Sequence, residues 1–581
     1  MSQINSVPNI SVLRSYTPPG SIQPENDDFV YVASHTTFLD GGGGFFYFNS
    51  LVTKPDNDGT IVKSDYPPVG RWVRKIDNHV DVRFFGTYGA NQIDDGDRIQ
   101  KAIDYAFENL NNNAYTKGTT VFIPCGIYLI RNTLILKNGV SILGESLAST
   151  ILTAIYRDQP PATSNPSDPN ATNGGHMMIM ENGIIQGCNI YNITFNGGIN
   201  SKDINPEITD TWTKGAILFQ AIKKSPEGTA GLWSSTFKNL RIVQFNGTGI
   251  ELNGGGGENY NYDEPNQLLV FENVHINRQK QNVNSLHLLG QQGQVTFINC
   301  GFGGIKYNRR PDNSYSVVKG FNVMISSKAH VNSAVISFIN STFEEGEHGA
   351  IIKFAESITF DTCWFETLDV GVLVESSEGR SSKGINILNS RFANAASFGS
   401  LKVNNRSENY SGSCIVSRNS EINVHNNFVT ITDINDAIGL NRNFITAIEP
   451  NLGVNTHGNS YANNRLGYTF GIVQTIPIDS NLALGKYINL KDNRTVLVAG
   501  TALLSTITYI ECSINAGEII EIKSSGFPIA IESSKNIYLS GKTTINLDIG
   551  DIATFIKLDI QTSIYRETYQ LISILKNTTI I

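Results

Sequence analysis

A short phrase of sequence recurs along the middle of the chain and limits what it can fold into. The phrase opens with an apolar residue, has Asn or Thr two places on, and ends with an aromatic or aliphatic residue five places on. Successive openings lie 47, 34, 26, 41, 22 and 27 residues apart. A strand-turn-strand unit at such intervals is typical of a solenoid, so the pattern predicts an all-β parallel β-helix whose coils stack on one another. The phrases open at Ile190, Phe237, Phe271, Phe297, Phe338, Phe360 and Ile387.

Each place in the phrase has an expected role. The opening residue and those three and five places on are mostly apolar or small, as in Phe360, Cys363 and Phe365, and should stack inward. Asn takes the second place in six phrases and Thr362 in the other. Because Asn tolerates left-handed backbone and bonds its own backbone at turns, we expect a corner there and an internal Asn ladder. The fourth and sixth places should face outward, since side chains alternate along a strand.

The two ends of the chain lack the phrase and are predicted to be separate modules. Residues 1–80 contain a glycine run followed by alternating aromatics, which indicates short strands and tight turns. The run lacks the Lys-Ser/Thr ending of a phosphate loop, so we interpret it as a structural turn. Residues 466–581 show short apolar runs at all-β spacing and are predicted to form a C-terminal β-sandwich-like module, used for trimerisation or glycan binding.

One helix is expected at the start of the β-helix domain, residues 81–465. Ile99, Ala102, Ile103 and Ala106 follow the i, i+3, i+4, i+7 spacing of an amphipathic helix, and acidic residues precede them. The first coil of a β-helix would otherwise expose its core and its backbone edge. We therefore predict that this helix caps the first coil.

Composition excludes several classes of protein. The 44 basic and 52 acidic residues give a net charge of −8, which argues against a nucleic-acid binder. No apolar run is long enough to predict a membrane span, and the first residues do not resemble a signal peptide. The six cysteines have no metal-like spacing, and Cys300 and Cys363 fall on inward places, which predicts buried free thiols. We expect no cofactor and no metal.

Several motifs together resemble a known family. The run "DGGGG…FYF…DNDG…GRW", the helix "FGxxGA…DD…IQKAID" and the strand "VFIPCGIY" resemble those of pectate-lyase-like bacteriophage tailspikes, over roughly residues 10–465. The resemblance implies a right-handed, single-stranded parallel β-helix in a homotrimer. It also implies a place in the virion tail, contact with other phage tail proteins through residues 1–80, and a bacterial capsular polysaccharide or lipopolysaccharide O-antigen as partner. Members of this family include hydrolases, lyases and esterases.

Two glutamates form the main candidate catalytic pair. Glu344 and Glu366 take the same outward sixth place in consecutive phrases, 22 residues apart. Neighbouring strands lie about 4.8 Å apart, so the two carboxylates could approach to about 5 Å, as the acid and the nucleophile of a retaining glycosidase do. Two carboxylates this close should also titrate at different pH values, which leaves one protonated as a general acid requires.

Other residues border this pair in sequence. Asp361 and Glu347 are further catalytic candidates, and His348 is a candidate for substrate binding. Trp364 offers a stacking face to a sugar ring and Arg391 a cation to an acidic one. The absence of side chains at the outward places of an earlier phrase, Gly301 and Gly303, should leave a hollow.

The residues leave three alternatives open. Outward glutamates on a solenoid are commonly just a solvated face. A second candidate site is the tyrosine- and acid-rich excursion at 254–267, with Tyr260, Tyr262 and Asp263. A polysaccharide lyase would instead need a base beside a cation to remove the proton alpha to a uronate carboxylate.

Such a base and cation could come from Tyr307, Arg309 and His348. A glycan-binding adhesin without catalysis is the alternative from another class of protein. The residues favour hydrolysis by the paired carboxylates over β-elimination.

Overall fold

The computed structural model of the chain divides into two compact units. One is Met1–Ile305 with Lys328–Val331, and the other is Lys306–Ser327 with Asn332–Ile581. The structure describes residues 5–66, 70–112, 120–154, 176–198, 215–224, 228–245, 247–255, 264–277, 283–304, 308–309, 315–316, 321–327, 333–376, 381–393, 413–418, 420–430, 443–448, 453–457, 459–461, 472–475, 487–489, 495–499, 505–507, 509–511, 519–525, 529–533, 537–539, 542–548, 551–558 and 568–575.

The first unit begins with a small five-stranded sheet, as the alternating aromatics predicted. Its strand order is β1-β2-β3-β5-β4, with β1 and β2 parallel and the other pairs antiparallel. Val30 and Val32 point into a core closed by the fully buried Trp72, while Phe29 and Tyr31 alternate outward. The elements are β1 (Asn5–Val7), α1 (Ile10–Arg14), β2 (Phe29–Val32), β3 (Gly44–Asn49), β4 (Ile61–Lys63) and β5 (Arg71–Arg74).

The glycine run is a structural turn against a buried arginine. The Arg74 guanidinium donates to the carbonyl oxygens of Gly42, Gly43 and Gly59. A Cβ at Gly43 would lie 2.6 Å from the carbonyl oxygen of Ala33, so the backbone can pass there only without a side chain. These contacts give the glycine run a structural role in packing.

The predicted helix is α2 (Gly96–Asn112), and it covers the first coil. Ile99, Ala102, Ile103 and Ala106 are all fully buried. The side chain of Gln100 accepts a hydrogen bond from the Ile135 backbone N–H and donates one to its carbonyl oxygen, at 2.8 and 3.2 Å. The helix therefore closes the coil's core and satisfies part of its backbone edge.

The coils of the first unit stack in parallel register through the repeated phrase. Ile190 lies opposite Phe237, Phe237 opposite Phe271, and Phe271 opposite Phe297. The last three rings stack with centroids 4.7 Å apart. The elements are β6 (Val80–Asp81), a 3₁₀ turn (Val82–Phe85), β7 (Ala90–Asp94), α2 (Gly96–Asn112), β8 (Thr120–Ile123), β9 (Gly126–Ile130), β10 (Leu134–Leu136), β11 (Ser141–Gly144), β12 (Thr150–Ala154), β13 (His176–Met180), β14 (Ile184–Gln186), β15 (Ile190–Asn196), β16 (Gly215–Gln220), β17 (Gly231–Val243), β18 (Ile250–Asn253), β19 (Asn266–Asn277), β20 (Leu286–Leu289), β21 (Gln292–Ile298) and β22 (Gly301–Gly303).

The second unit continues the same pattern. Phe338 lies opposite Phe360, Phe360 opposite Ile387, and Ile387 opposite Val424. Val424 opens an eighth phrase that the sequence analysis did not include, with Asn426 in its second place and Val429 in its fifth. The strands are β23 (Asn308–Arg309), β24 (Tyr315–Ser316), β25 (Phe321–Ser326), β26 (Ser333–Ile339), β27 (Thr342–Lys353), β28 (Ala355–Asp361), β29 (Trp364–Glu375), β30 (Ser382–Leu388), β31 (Arg391–Ala393), β32 (Ser413–Arg418), β33 (Ser420–His425), β34 (Phe428–Thr430), β35 (Asn443–Ile448), β36 (Gly453–His457), β37 (Ser460–Tyr461) and β38 (Ile472–Thr475).

The second place of every phrase is a left-handed corner, as predicted. The seven residues there have φ between 49° and 59°. Asn239 donates to Asn192 and Asn273 donates to Asn239 through their side chains, so an Asn ladder exists. The prediction that it is internal was wrong: these side chains are half-buried, and Asn389 of a later phrase is exposed. The corner turns the amide away from the apolar core.

Parallel pairing extends beyond the predicted end of the β-helix. Ile472–Thr475 pairs in parallel with β35, past the expected boundary at residue 465. Parallel pairs then follow at offsets of 22, 26 and 24 residues, and antiparallel pairs of the kind expected for a sandwich come only after them. The strands are β39 (Tyr487–Asn489), β40 (Thr495–Ala499), β41 (Ser505–Ile507), β42 (Tyr509–Glu511), β43 (Ile519–Ser525), β44 (Ile529–Glu532), β45 (Ile537–Tyr538), β46 (Thr544–Leu547), β47 (Ile552–Leu558) and β48 (Thr568–Leu575).

The described residues contain neither a membrane-spanning helix nor a metal-binding cluster. No helix among them is both long and apolar enough to cross a bilayer. In the same part of the chain, no three His, Cys, Asp or Glu side chains come together in a group that could hold a metal ion.

Candidate functional site

Two columns of residues run side by side across β27, β29, β31 and β34 of the second unit, and Ala393 in the second of them is buried. Their residues come from the fourth and sixth places of four phrases, and the parallel register sets them directly opposite one another. The columns are Thr342–Trp364–Arg391–Phe428 and Glu344–Glu366–Ala393–Thr430.

The two predicted glutamates occupy adjacent coils. Glu344 pairs in register with Glu366, which confirms that they share one place on neighbouring parallel strands. Glu344 is exposed and Glu366 is half-buried. The fully buried amide of Asn322 donates to the backbone carbonyl of Glu344 at 2.7 Å, so the main chain beneath this carboxylate is anchored.

Trp364 orients one of these carboxylates. Its indole Nε1 donates to Oε2 of Glu366 at 3.0 Å. The indole N–H can only donate, so this Glu366 oxygen accepts, and the carboxylate is held at one edge of the ring. Catalytic groups act best when a neighbouring contact fixes their orientation.

Arg391 stacks on the same indole ring. Its guanidinium carbon lies 4.5 Å from the ring centroid of Trp364 and 5.6 Å from that of Phe428. Cation–π contacts of this kind hold a guanidinium over a ring face. The guanidinium therefore covers one face of Trp364, and that face is closed to a stacking sugar while Arg391 keeps this position.

The other predicted residues of this region are placed differently. Oδ1 of Asp361 accepts hydrogen bonds from Thr362 and Asn389, so its carboxylate braces the corner that precedes β29. His348 is only 5% exposed and packs edge-on against the ring of Phe321. Oε1 of Glu347 lies 3.9 Å from the His348 Nδ1 atom.

The remaining predicted residues belong to other segments of the sequence. Tyr260, Tyr262, Asp263 and Tyr307 lie outside the described residues. Arg309 belongs to β23, which pairs with β24 in a two-stranded antiparallel sheet.

The expected hollow at Gly301 was wrong. A Cβ on Gly301 would lie 2.5 Å from Nδ1 of His275, so the imidazole ring fills the space above this glycine. A larger residue at this position would have to displace the imidazole ring of His275.

Sequence reasoning missed two residues of the site. Phe428 takes the fourth place of the eighth phrase, and extending the phrase one coil further, to Val424, would have found it. Asn322 lies outside the repeated phrase, and nothing in the sequence around it indicates its hydrogen bond to the backbone of Glu344.

Two family models match successive parts of the chain. Residues 6–78 match the phage tail protein small four-stranded beta-sheet domain, and residues 79–306 match the rhamnogalacturonase A/epimerase, pectate lyase-like family. The chain thus joins a phage tail β-sheet domain to a pectate-lyase-like domain. None of the curated proteins compared with the chain matches its sequence.

Several solved structures are similar to the chain at low sequence identity. The gp42 tailspike of Acinetobacter phage vb_AbaP_AS12 is 13% identical over 98% of this chain and 91% of its own, with a TM-score of 0.52. The gp49 tailspike of Acinetobacter baumannii bacteriophage Fri1, a capsular polysaccharide depolymerase, is 14% identical over 80% and 77%, with a TM-score of 0.43. PfbA, a surface adhesin of Streptococcus pneumoniae, is 11% identical over 85% and 98%, with a TM-score of 0.44.

Proposed function

We propose that this protein is a phage tailspike that binds a bacterial surface polysaccharide, capsule or O-antigen, and hydrolyses its glycosidic bonds. The phage tail and pectate-lyase-like matches support this class of protein. The observation that carries the proposal is the register pair Glu344–Glu366, with Glu366 oriented by Trp364. Two carboxylates one strand spacing apart fit the retaining mechanism better than the wider inverting one.

The two glutamates have separate roles in this mechanism. Glu366, fixed by the indole N–H, attacks the anomeric carbon while Glu344 gives its proton to the leaving oxygen, so that a glycosyl–enzyme bond forms as the glycosidic bond breaks. Glu344 then removes a proton from a water molecule. The oxygen of that water attacks the anomeric carbon and breaks its bond to Glu366. The greater exposure of Glu344 suits the residue that meets both the leaving group and water.

Burial of His348 favours hydrolysis over β-elimination. A lyase base must reach the proton alpha to a carboxylate on a bulky polymer. His348, at 5% exposure against Phe321, is not open to such a substrate. Binding of a polymer without cleavage would instead identify the protein as a glycan-binding adhesin.

We propose further that the protein acts in the virion tail as a homotrimer. Residues 1–80 would contact other phage tail proteins, which the match to a phage tail domain supports. The C-terminal module would serve trimerisation or glycan binding. Mass measurement of the purified chain in solution tests the trimer directly.

The glutamate pair is tested by Glu344→Gln and Glu366→Gln. Each variant should lower the turnover of a cleaved capsular polysaccharide by at least about 100-fold and keep its binding, because Gln retains the shape but cannot transfer the proton or attack. New reducing ends would be followed together with the ultraviolet absorbance of unsaturated uronates. Reducing ends without that absorbance identify a hydrolase, whereas a rise in both identifies a lyase.

The matched control is Glu421→Gln. Glu421 is an exposed glutamate on β33 of the same unit, outside the two columns. This variant should turn over substrate like the unmodified protein. Normal turnover in both Glu344→Gln and Glu366→Gln would refute the proposed catalytic pair.

A further inference from the structure

Among the described residues, aromatic rings and no carboxylate contact the side chain of Arg391. Its guanidinium lies over the rings of Trp364 and Phe428, and its Nε atom is shielded from solvent with no hydrogen-bond partner among the described residues. Elsewhere in the same unit a cation is paired: Lys353 lies 3.4 Å from Glu375 on the adjacent strand. A shielded N–H without a hydrogen bond costs free energy, and the other N–H groups of this half-buried side chain can still meet a ligand.

Trp364 explains why Arg391 does not neutralise the nearby Glu366. The indole N–H takes one oxygen of Glu366, and the ring face takes the guanidinium of Arg391. The same side chain thus contacts the anion at its edge and the cation at its face. The guanidinium also lies 5.6 Å from the ring centroid of Phe428, so the contacts that hold it among the described residues are with aromatic rings.

The two glutamates would repel an acidic polymer unless a cation stood beside them. Arg391 lies in the adjacent column, one coil beyond Trp364, and so faces the same surface as the Glu344–Glu366 pair. A guanidinium offers a planar fork of donors that matches a carboxylate in two parallel hydrogen bonds. Its shape and position both suit the carboxylate of a sugar bound next to the cleaved bond.

We propose that the substrate is an acidic polysaccharide and that Arg391 binds the carboxylate of one of its sugars. This inference rests on the proposed function and specifies its substrate class: a polymer containing a uronic or another carboxylated sugar at or beside the cleavage point. Arg391 determines specificity through binding, and Glu344 and Glu366 carry out the reaction.

The test compares native and carboxyl-reduced forms of one polymer. Capsular polysaccharides from a panel of bacteria would be screened for binding and cleavage, and any acidic polymer that is cut would then be reduced chemically so that its carboxylates become hydroxymethyl groups. Arg391→Gln should raise KM for the native polymer roughly 10- to 100-fold, with a smaller change in kcat. The KM of the unmodified protein should rise by a similar factor on the reduced polymer. The KM of Arg391→Gln should be the same for the native and the reduced polymer.

Two variants separate this role from general effects. Arg241→Gln is the matched control, because Arg241 is an exposed arginine in the same fourth place of an earlier phrase, on β17. It should leave KM unchanged. Arg391→Lys keeps the charge without the planar fork and should recover part of the lost affinity. Thermal midpoints of all variants would show that each is folded.

The outcomes distinguish this inference from the proposed function. Cleavage of a polymer without acidic sugars, equal KM for native and reduced polymer, or equal behaviour of Arg391→Gln and Arg241→Gln would each overturn the role of Arg391 and leave hydrolysis standing. Normal turnover in both glutamine variants of the catalytic pair, with Arg391→Gln still impaired, would overturn the catalytic pair alone. A panel in which no polymer binds the unmodified protein would overturn both.

Discussion

At the scale of single residues, Asp40 organises the turn that holds the glycine run. Its two carboxylate oxygens accept four backbone hydrogen bonds, from the N–H groups of His35, Thr36, Thr37 and Gly42. Burial raises the pKa of Asp40, but these four donors outweigh it and set the pKa below its ordinary value. The charged form is therefore favoured by folding.

This shift predicts how stability depends on pH. A carboxylate whose folded pKa is depressed contributes stability above its unfolded pKa, about 3.9 for Asp, and loses it as the pH falls through the folded value. Asp40→Asn should lower the thermal midpoint at pH 7, because an amide nitrogen cannot accept two of the four hydrogen bonds. The difference from the unmodified protein should narrow below about pH 4. Asp77→Asn is the control, because Asp77 is exposed. A difference in thermal midpoint between Asp40→Asn and the unmodified protein that stayed constant across the pH series would contradict the prediction.

At the scale of elements, the cap on the first coil depends on one amide. The side chain of Gln100 on α2 forms two hydrogen bonds with the backbone of Ile135 on the edge strand β10. It thereby supplies the donor and the acceptor that a neighbouring strand would otherwise provide. Exposed strand edges are templates for pairing with other chains. The helix thus closes the β-helix with hydrogen bonds as well as with its buried apolar face.

Gln100→Leu should destabilise the first coil by about 1–3 kcal/mol, because two partly buried backbone groups of Ile135 lose their partners. Hydrogen exchange at β10 and the thermal midpoint would measure the effect. Lys101→Met is the control on the next residue: Lys101 forms an exposed ion pair with Asp58 at 3.5 Å, and such pairs contribute little. If β10 exchanged no faster in Gln100→Leu than in Lys101→Met, the amide would have no capping role.

At the scale of the whole molecule, the sequence predicted what depends on local repetition. The register of Phe338 and Phe360, the left-handed corner at Thr362 and the pairing of Glu344 with Glu366 all follow from one phrase, because a parallel coil places like residues over like. What it could not predict depends on partners from other places in the chain. The ring of His275 over Gly301 and the bond from Asn322 beneath Glu344 are of this kind, as is the way Trp364 separates Arg391 from Glu366.

The buried cysteines allow thiol reactivity to report on whether the whole fold is intact. Among the described cysteines, Cys188, Cys300, Cys363 and Cys414 are buried and free, and Cys125 is exposed. Burial raises the pKa of the Cys188 and Cys300 thiols to about 12, so neither forms a reactive thiolate near neutral pH.

A maleimide probe should therefore label Cys125 quickly in the folded protein and the four buried thiols only as the coils open. A reducing agent should leave the thermal midpoint unchanged, because none of these thiols is in a disulfide. Labelling followed by peptide mass analysis along a denaturant series would give the order in which the coils open. Cys125→Ser removes the rapid site and serves as the control. Labelling of Cys300 or Cys363 in the native protein as fast as that of Cys125 would contradict the closed core on which the two columns are built.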